Sequence, residues 1–196
     1  MDSRTEILKR LRDAAPAALP LPDLRREKVP YADPLAQLEI ALQAVAAVPV
    51  RVAGDGALAE AVRALVASLG ASRVACAVPA AGAGNVRPEE LPDPHQLEGL
   101  DLAILPGAFG VAENGAIWVN AAALPHRGVF VVAQHLAIVL PAREIVTDMH
   151  AAYERVAALP RGYGLFIAGP SKTADIEQAL VIGAHGARSC TVFLVS

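Results

Sequence analysis

The sequence predicts an α/β fold: a three-layer α/β/α domain around a mostly parallel sheet, with a β-rich middle. Three observations predict it. From Pro34 onward, apolar runs of strand length alternate with helical patterns, and strands that are apolar throughout belong to parallel sheets covered on both faces. Between Ala116 and Leu140 short strand-like runs follow one another with no room for helices, so that portion is antiparallel or β-rich. The chain has 196 residues, 54% hydrophobic and 19% charged, enough length and apolar content for one domain with a real core.

Each element has its own signature. Ile7, Leu8 and Leu11 share one face of a helix expected over 3–14. Five prolines from Pro16 to Pro34 then remove backbone donors and disfavour helix, which makes residues 1–33 an N-terminal helix plus a proline-rich arm. That arm either packs across the domain or reaches a neighbouring subunit, so a homo-oligomer is an open expectation. The domain proper, 34–196, begins with a helix over 35–46, a strand over 48–53, a helix over 57–69 and a strand over 73–78. A Gly/Pro loop over 80–99 is long enough to be functional. Strands are expected over 101–106, 116–120, 129–133 and 136–140, followed by an amphipathic helix over 143–159 that starts just after Pro141. A buried strand over 164–168, a helix over 173–182 and a last strand over 189–195 complete the chain.

Composition excludes several classes. The mean hydropathy of +0.40 rests largely on alanine, and the longest stretch without Asp, Glu, Lys or Arg, Gly128 to Ala142, contains Gln134, His135 and Pro141. A bilayer span takes about 20 apolar residues, so no membrane segment is expected. The charged N-terminus lacks the apolar region of a signal peptide, which points to the cytoplasm. A net charge of −3, with no basic stripe or aromatic platform, argues against nucleic-acid binding. Cys76 and Cys190 sit in apolar runs and read as buried free thiols. Two cysteines do not make an iron–sulfur or structural zinc site, and no histidine pair has helical metal spacing, so neither metal nor cofactor is encoded in this chain.

Ligands of open α/β sheets bind beyond the carboxyl ends of strands, which singles out two junctions. In the segment 165–187, Gly169 and Pro170 turn the chain, Ser171 or Thr173 caps the expected helix, and Asp175 and Glu177 complement its dipole. Lys172 opposes that dipole, so beside free helix amides and two hydroxyls it makes a candidate site for phosphate or carboxylate. In the segment 105–120, Gly107, Gly110 and Gly115 permit close backbone approach, and Glu113-Asn114-Gly115 suits a hairpin turn. Glu113 is either a solvated turn residue or a carboxylate held for acid/base or nucleophilic work. His135 and His185 are candidate general acids or bases, with a structural role as the alternative for each. The G-x-S-x-G of a serine hydrolase is missing.

The stretches GAFGVAENGAIWV and LAIVLPAREIVTDMHAAYE, and above all GPSKTADIEQALVIGAHGA, resemble the LUD-domain family of lactate-utilization protein C (LutC, YkgG). The resemblance implies a fold similar to the NagB/RpiA/CoA-transferase-like class and a part in oxidation of L-lactate to pyruvate. It also implies iron–sulfur partner proteins of the same operon, which would carry the clusters this chain cannot ligate. The chain would then be an accessory subunit that binds a small anionic ligand. Two-domain CoA transferases carry a nucleophilic glutamate in a similar E-N-G context. That likeness implies an alternative: a stand-alone enzyme acting on a CoA thioester, sugar phosphate or folate-like substrate, with Glu113 as nucleophile or base.

Overall fold

In the computed structural model the described residues are 2–17, 19–20, 22, 31–82, 84–121, 124, 126–160, 162–174 and 180–196. Helix α1, Ser3–Asp13, is capped by Asp2, and none of its residues is buried. Asp33 caps α2, Pro34–Ala44, by accepting from the amides of Leu35 and Ala36, and Ala46 ends the segment at φ 63°. Then come β1 (Ala47–Val52), α3 (Gly54–Leu69) and β2 (Val74–Cys76). The Gly/Pro loop holds three 3-10 turns, Pro79–Ala81, Pro88–Glu90 and Pro94–Leu97, each opened by a proline whose missing N–H costs nothing there. After it come β3 (Leu102–Pro106), β4 (Phe109–Val111), β5 (Ile117–Asn120), α4 (Val129–Val132), β6 (His135–Pro141), β7 (Ile145–Val146) and α5 (Met149–Ala157). Strands β8 (Gly164–Ile167), β9 (Lys172–Ala174), β10 (Leu180–Ile182) and β11 (Ser189–Val195) end the chain.

The fold is α/β around a five-stranded, wholly parallel sheet of order β1-β11-β6-β3-β2. Along β6 the side chains alternate by face. Leu136, Ile138 and Leu140 join one core, while Ala137 and Val139 join another with Leu58 and Val62 of α3. The α3 crossover carries the chain across the full width of the sheet, from β1 at one edge to β2 at the other. The chain then steps back through β3 and β6 to β11. With crossovers of one hand, reversing the direction of travel moves the connections to the opposite face. That face is covered by α2, α4 and a second sheet of order β7-β4-β5-β8, to which only β5 of the runs expected between Ala116 and Leu140 belongs, since β6 lies inside the parallel sheet. The outer side of the second sheet packs Phe109, Val111, Trp118 and Phe166 against Ala152 of α5.

Three sequence expectations are corrected. The apolar run at 129–133 is the short helix α4, whose buried Val129 and Phe130 cover the sheet rather than extend it. The helix expected from 143 begins only at Met149, because Ile145 and Val146 first pair alongside Gly110 and Val111. At 173–182 the expected helix is replaced at both described ends by an antiparallel hairpin, with Thr173 opposite Val181 and Lys172 opposite Ile182. The N-terminal arm lies mostly outside the described residues, as do Asp175 and Glu177.

Candidate functional site

The first junction starts at the carboxyl end of β3 and runs into the second sheet, while the second runs from β8 through the β9–β10 pair, so the rule for carboxyl ends of parallel strands governs only the start of the first. At the first, Gly107 and Gly110 bring the second sheet onto the core. A Cβ on Gly107 would lie 2.8 Å from Ile117 Cγ2, and one on Gly110 would lie 2.9 Å from Leu38 Cδ2. Asn114 Oδ1 accepts from the Ala116 amide at 3.0 Å, closing the turn. Gly115, at φ +72°, sits against the backbone of Ala41, where a Cβ would come within 2.9 Å. Glu113 is exposed, and its Oε2 accepts from the Met149 amide at 2.9 Å. Asp148 Oδ1 accepts from the Ala151 amide at 2.8 Å, so two carboxylates serve the N-terminus of α5.

At the second junction Gly169, at φ +76°, lies so close to α2 that a Cβ would meet Val45 O at 2.2 Å. Lys172 Nζ donates to three carbonyls, Val45 O at 2.8 Å, Ala168 O at 3.0 Å and Pro170 O at 3.3 Å. Its charge therefore meets the carboxyl end of α2, where the dipole favours a cation, instead of the start of a following helix. Ala41 and Val45 are one turn apart on α2, so the two junctions converge on that helix. The Ser171 amide donates to Ala187 O at 2.9 Å and its carbonyl accepts from the Gly183 amide at 2.8 Å. In this way the GPSKT and GAHG segments are bound to each other, and Gly186 packs on Ser171. Thr173 serves the β9–β10 pairing.

The GAHG turn in turn walls a polar groove. A groove of about 800 Å³ opens beside the amino-terminal ends of β6 and β11. His185, Arg188, His95, Gln134 and Glu98 supply its polar lining, over Leu97, Val131 and Val132. Beside it, His135 Nδ1 lies 2.7 Å from Ser189 Oγ, and its pKa is lowered first by burial and then by the charge of Arg188. His185 is thus brought to a cavity, whereas Glu113 and Lys172 are engaged at helix ends. Arg188, His95 and Gln134 escaped the sequence reading because it followed carboxyl ends, and these residues stand just before β11, in the long loop and just before β6. A polar residue just ahead of two central strands, Gln134 before β6 and Arg188 before β11, was the available signal.

A second crevice, of about 440 Å³, does lie at carboxyl ends. The chain leaves β2 towards α3 through the turn at Pro79–Ala81 and leaves β3 towards the second sheet, which opens a gap lined by Cys76, Val78, Gly82, Arg87, Pro106 and Asn120. Cys190 is buried in the sheet, its thiol pushed up to about 12 by burial, against an opposing pull from Lys172. Among the described residues no helix is long and apolar enough to cross a membrane.

No curated protein matches the sequence significantly. A crystal structure of a DUF162 family protein from Deinococcus radiodurans superposes with a TM-score of 0.64 at 22% identity, covering 86% of this chain and 99% of that one. At that identity the likeness shows a shared fold. Residues 92–195 match the LUD domain, and since they are more than half of the chain and hold both the second sheet and the GAHG wall of the groove, the protein belongs to the LUD domain family.

Proposed function

We propose that the protein is an accessory subunit of a cytoplasmic L-lactate oxidation system of the LutC/YkgG kind, which holds a small anionic ligand and acts with iron–sulfur partner proteins of the same operon. The observation that carries this reading is the coincidence of the LUD match with the groove that its GAHG segment helps to build. The chemistry of that groove suits a short carboxylic acid. Arg188 offers a planar fork to a carboxylate, and His185 and Gln134 offer donors to a neighbouring hydroxyl or keto oxygen. Electron transfer in this reading belongs to the partners. At about 800 Å³ the groove exceeds a three-carbon acid, which leaves room for a partner surface above the ligand.

Calorimetric titration with L-lactate and with pyruvate tests the ligand half. Arg188→Ala should weaken binding about tenfold or more, and equal binding by wild type and variant overturns the assignment. Deletion of the gene in a strain without a redundant system tests the pathway half. Loss of growth on L-lactate, together with co-elution of the chain with iron–sulfur partners, is the expected result, and unimpaired growth overturns it.

A further inference from the structure

The His185 groove is lined by two kinds of surface. The first is polar and comes from the starts of β6 and β11. There the Arg188 amide donates to Gln134 O at 2.8 Å, which holds Arg188 and Gln134 side by side next to His185. The second is apolar and comes from α4, whose neighbouring Val131 and Val132 are 55% and 43% exposed where they line the groove. Gly128, at the start of α4, keeps this apolar part open. A Cβ there would stand 3.6 Å from Leu97 Cδ1 and 3.8 Å from Val132 Cγ1, in ordinary contact with both. A single exposed valine is common on any surface, but two adjacent ones lining a groove with an arginine form an apolar compartment. Lactate, with one methyl group, has no carbons to fill it. The volume of about 800 Å³ is of the size that holds larger organic ligands.

We propose that the groove selects 2-hydroxy acids with a longer aliphatic tail, such as that of 2-hydroxyisocaproate, over lactate, and that the tail lies on Val131 and Val132. This inference rests on the carboxylate reading of Arg188 and refines its ligand. The carboxylate takes the Arg188 fork, the 2-hydroxyl takes His185 and Gln134, and the tail leaves water for the surface of α4. A methylene is worth about fourfold in affinity when fully buried and about twofold where one side stays open to water.

Calorimetric titration of the chain with L-lactate, L-2-hydroxybutyrate and L-2-hydroxyisocaproate reads the selection. Affinity should rise along the series and reach about tenfold over lactate at its end. Two variants locate the tail, each read as the ratio of 2-hydroxyisocaproate affinity to lactate affinity. Val131→Thr combined with Val132→Thr keeps the shape of the wall and makes it polar, so the ratio should fall to about threefold or less. Gly128→Leu fills the space beside Leu97 and Val132 and should bring the ratio to about one. Its backbone, at φ −56°, accepts a side chain without strain. Lactate bound as tightly as the longer acid, or a ratio unchanged in either variant, overturns the proposal and leaves the carboxylate site standing. A wild-type chain that binds none of the three acids overturns the site and the proposal together.

Discussion

Lys172 shows how far one side chain's role depends on the element it serves. As a neighbour of Ser171 and Thr173 it resembles an anion ligand, yet in the fold its ammonium group spans the carbonyls of Val45, Ala168 and Pro170 and so ties β8 and β9 to the end of α2. Lys172→Met should therefore lower stability by about 1 kcal/mol in urea denaturation and leave carboxylate affinity in the groove unchanged. A fall in affinity without a fall in stability would return the residue to the anion site. His135 makes a second prediction. Its folded pKa lies below the ordinary 6.5, so between the two values the unfolded chain binds more protons. The stability it contributes is complete above that ordinary value and is lost as pH falls through the folded pKa. The lowered carboxylates, Asp101 held by the amides of Arg73 and Ser72, Asp93 by the amide of His95, Glu144 by Arg155 and Glu39 by Arg51, act below their ordinary 3.8 and 4.5. Urea midpoints at pH 7.5 and 5.5 thus keep these carboxylates out of the comparison, and a His135 variant separates its share from that of the other histidines. His135→Gln should shrink the difference between them, and an unchanged difference would locate the acid sensitivity elsewhere.

At the scale of elements, the central sheet was legible because its strands are buried on both faces and read as unbroken apolar runs; the strand over 189–195 is found with those same bounds. The failures share a cause. Val129–Val132 and the 172–182 segment are short, and whether such apolar runs wind or extend is settled by the surface beneath them: α4 lies on the core face of the sheet, and Thr173 finds Val181 across a hairpin. Where strand pairing replaces the expected helix at its described ends, the free helix amides invoked for an anion are not presented there. Glu113 does lie in a turn beside glycine, one of the two readings left open for it, but the Met149 amide it caps is 36 positions away and invisible to local pattern. Glu113→Ala should cost about 1 kcal/mol through the weakened start of α5, a loss that Glu113→Gln largely restores. The same pair decides the transferase alternative. Incubation with acyl-CoA thioesters should leave the intact mass unchanged, and a glutamyl adduct lost in Glu113→Ala would establish the nucleophile instead.

For the whole molecule, the open matter is how the first thirty-three residues relate to the rest. Helix α1 turns Ile7, Leu8 and Leu11 outward at 59%, 36% and 63% exposure and buries nothing. Isolated helices shorter than about 12–15 residues are marginal in water, so α1 adds little to the stability of the domain by itself. Any truncation must keep Asp33, whose carboxylate caps α2. A chain lacking residues 1–30 should accordingly fold with the same far-ultraviolet dichroism per residue of the domain, and its thermal midpoint should move by less than about 3 °C. A larger fall would mean that the arm packs across the domain and that α1 finds its apolar partner in the same chain. A preserved midpoint combined with lost self-association or lost co-elution with iron–sulfur partners would place that partner on another subunit, because every described residue among the first thirty is exposed and the buried residues described for the sheets all lie beyond them.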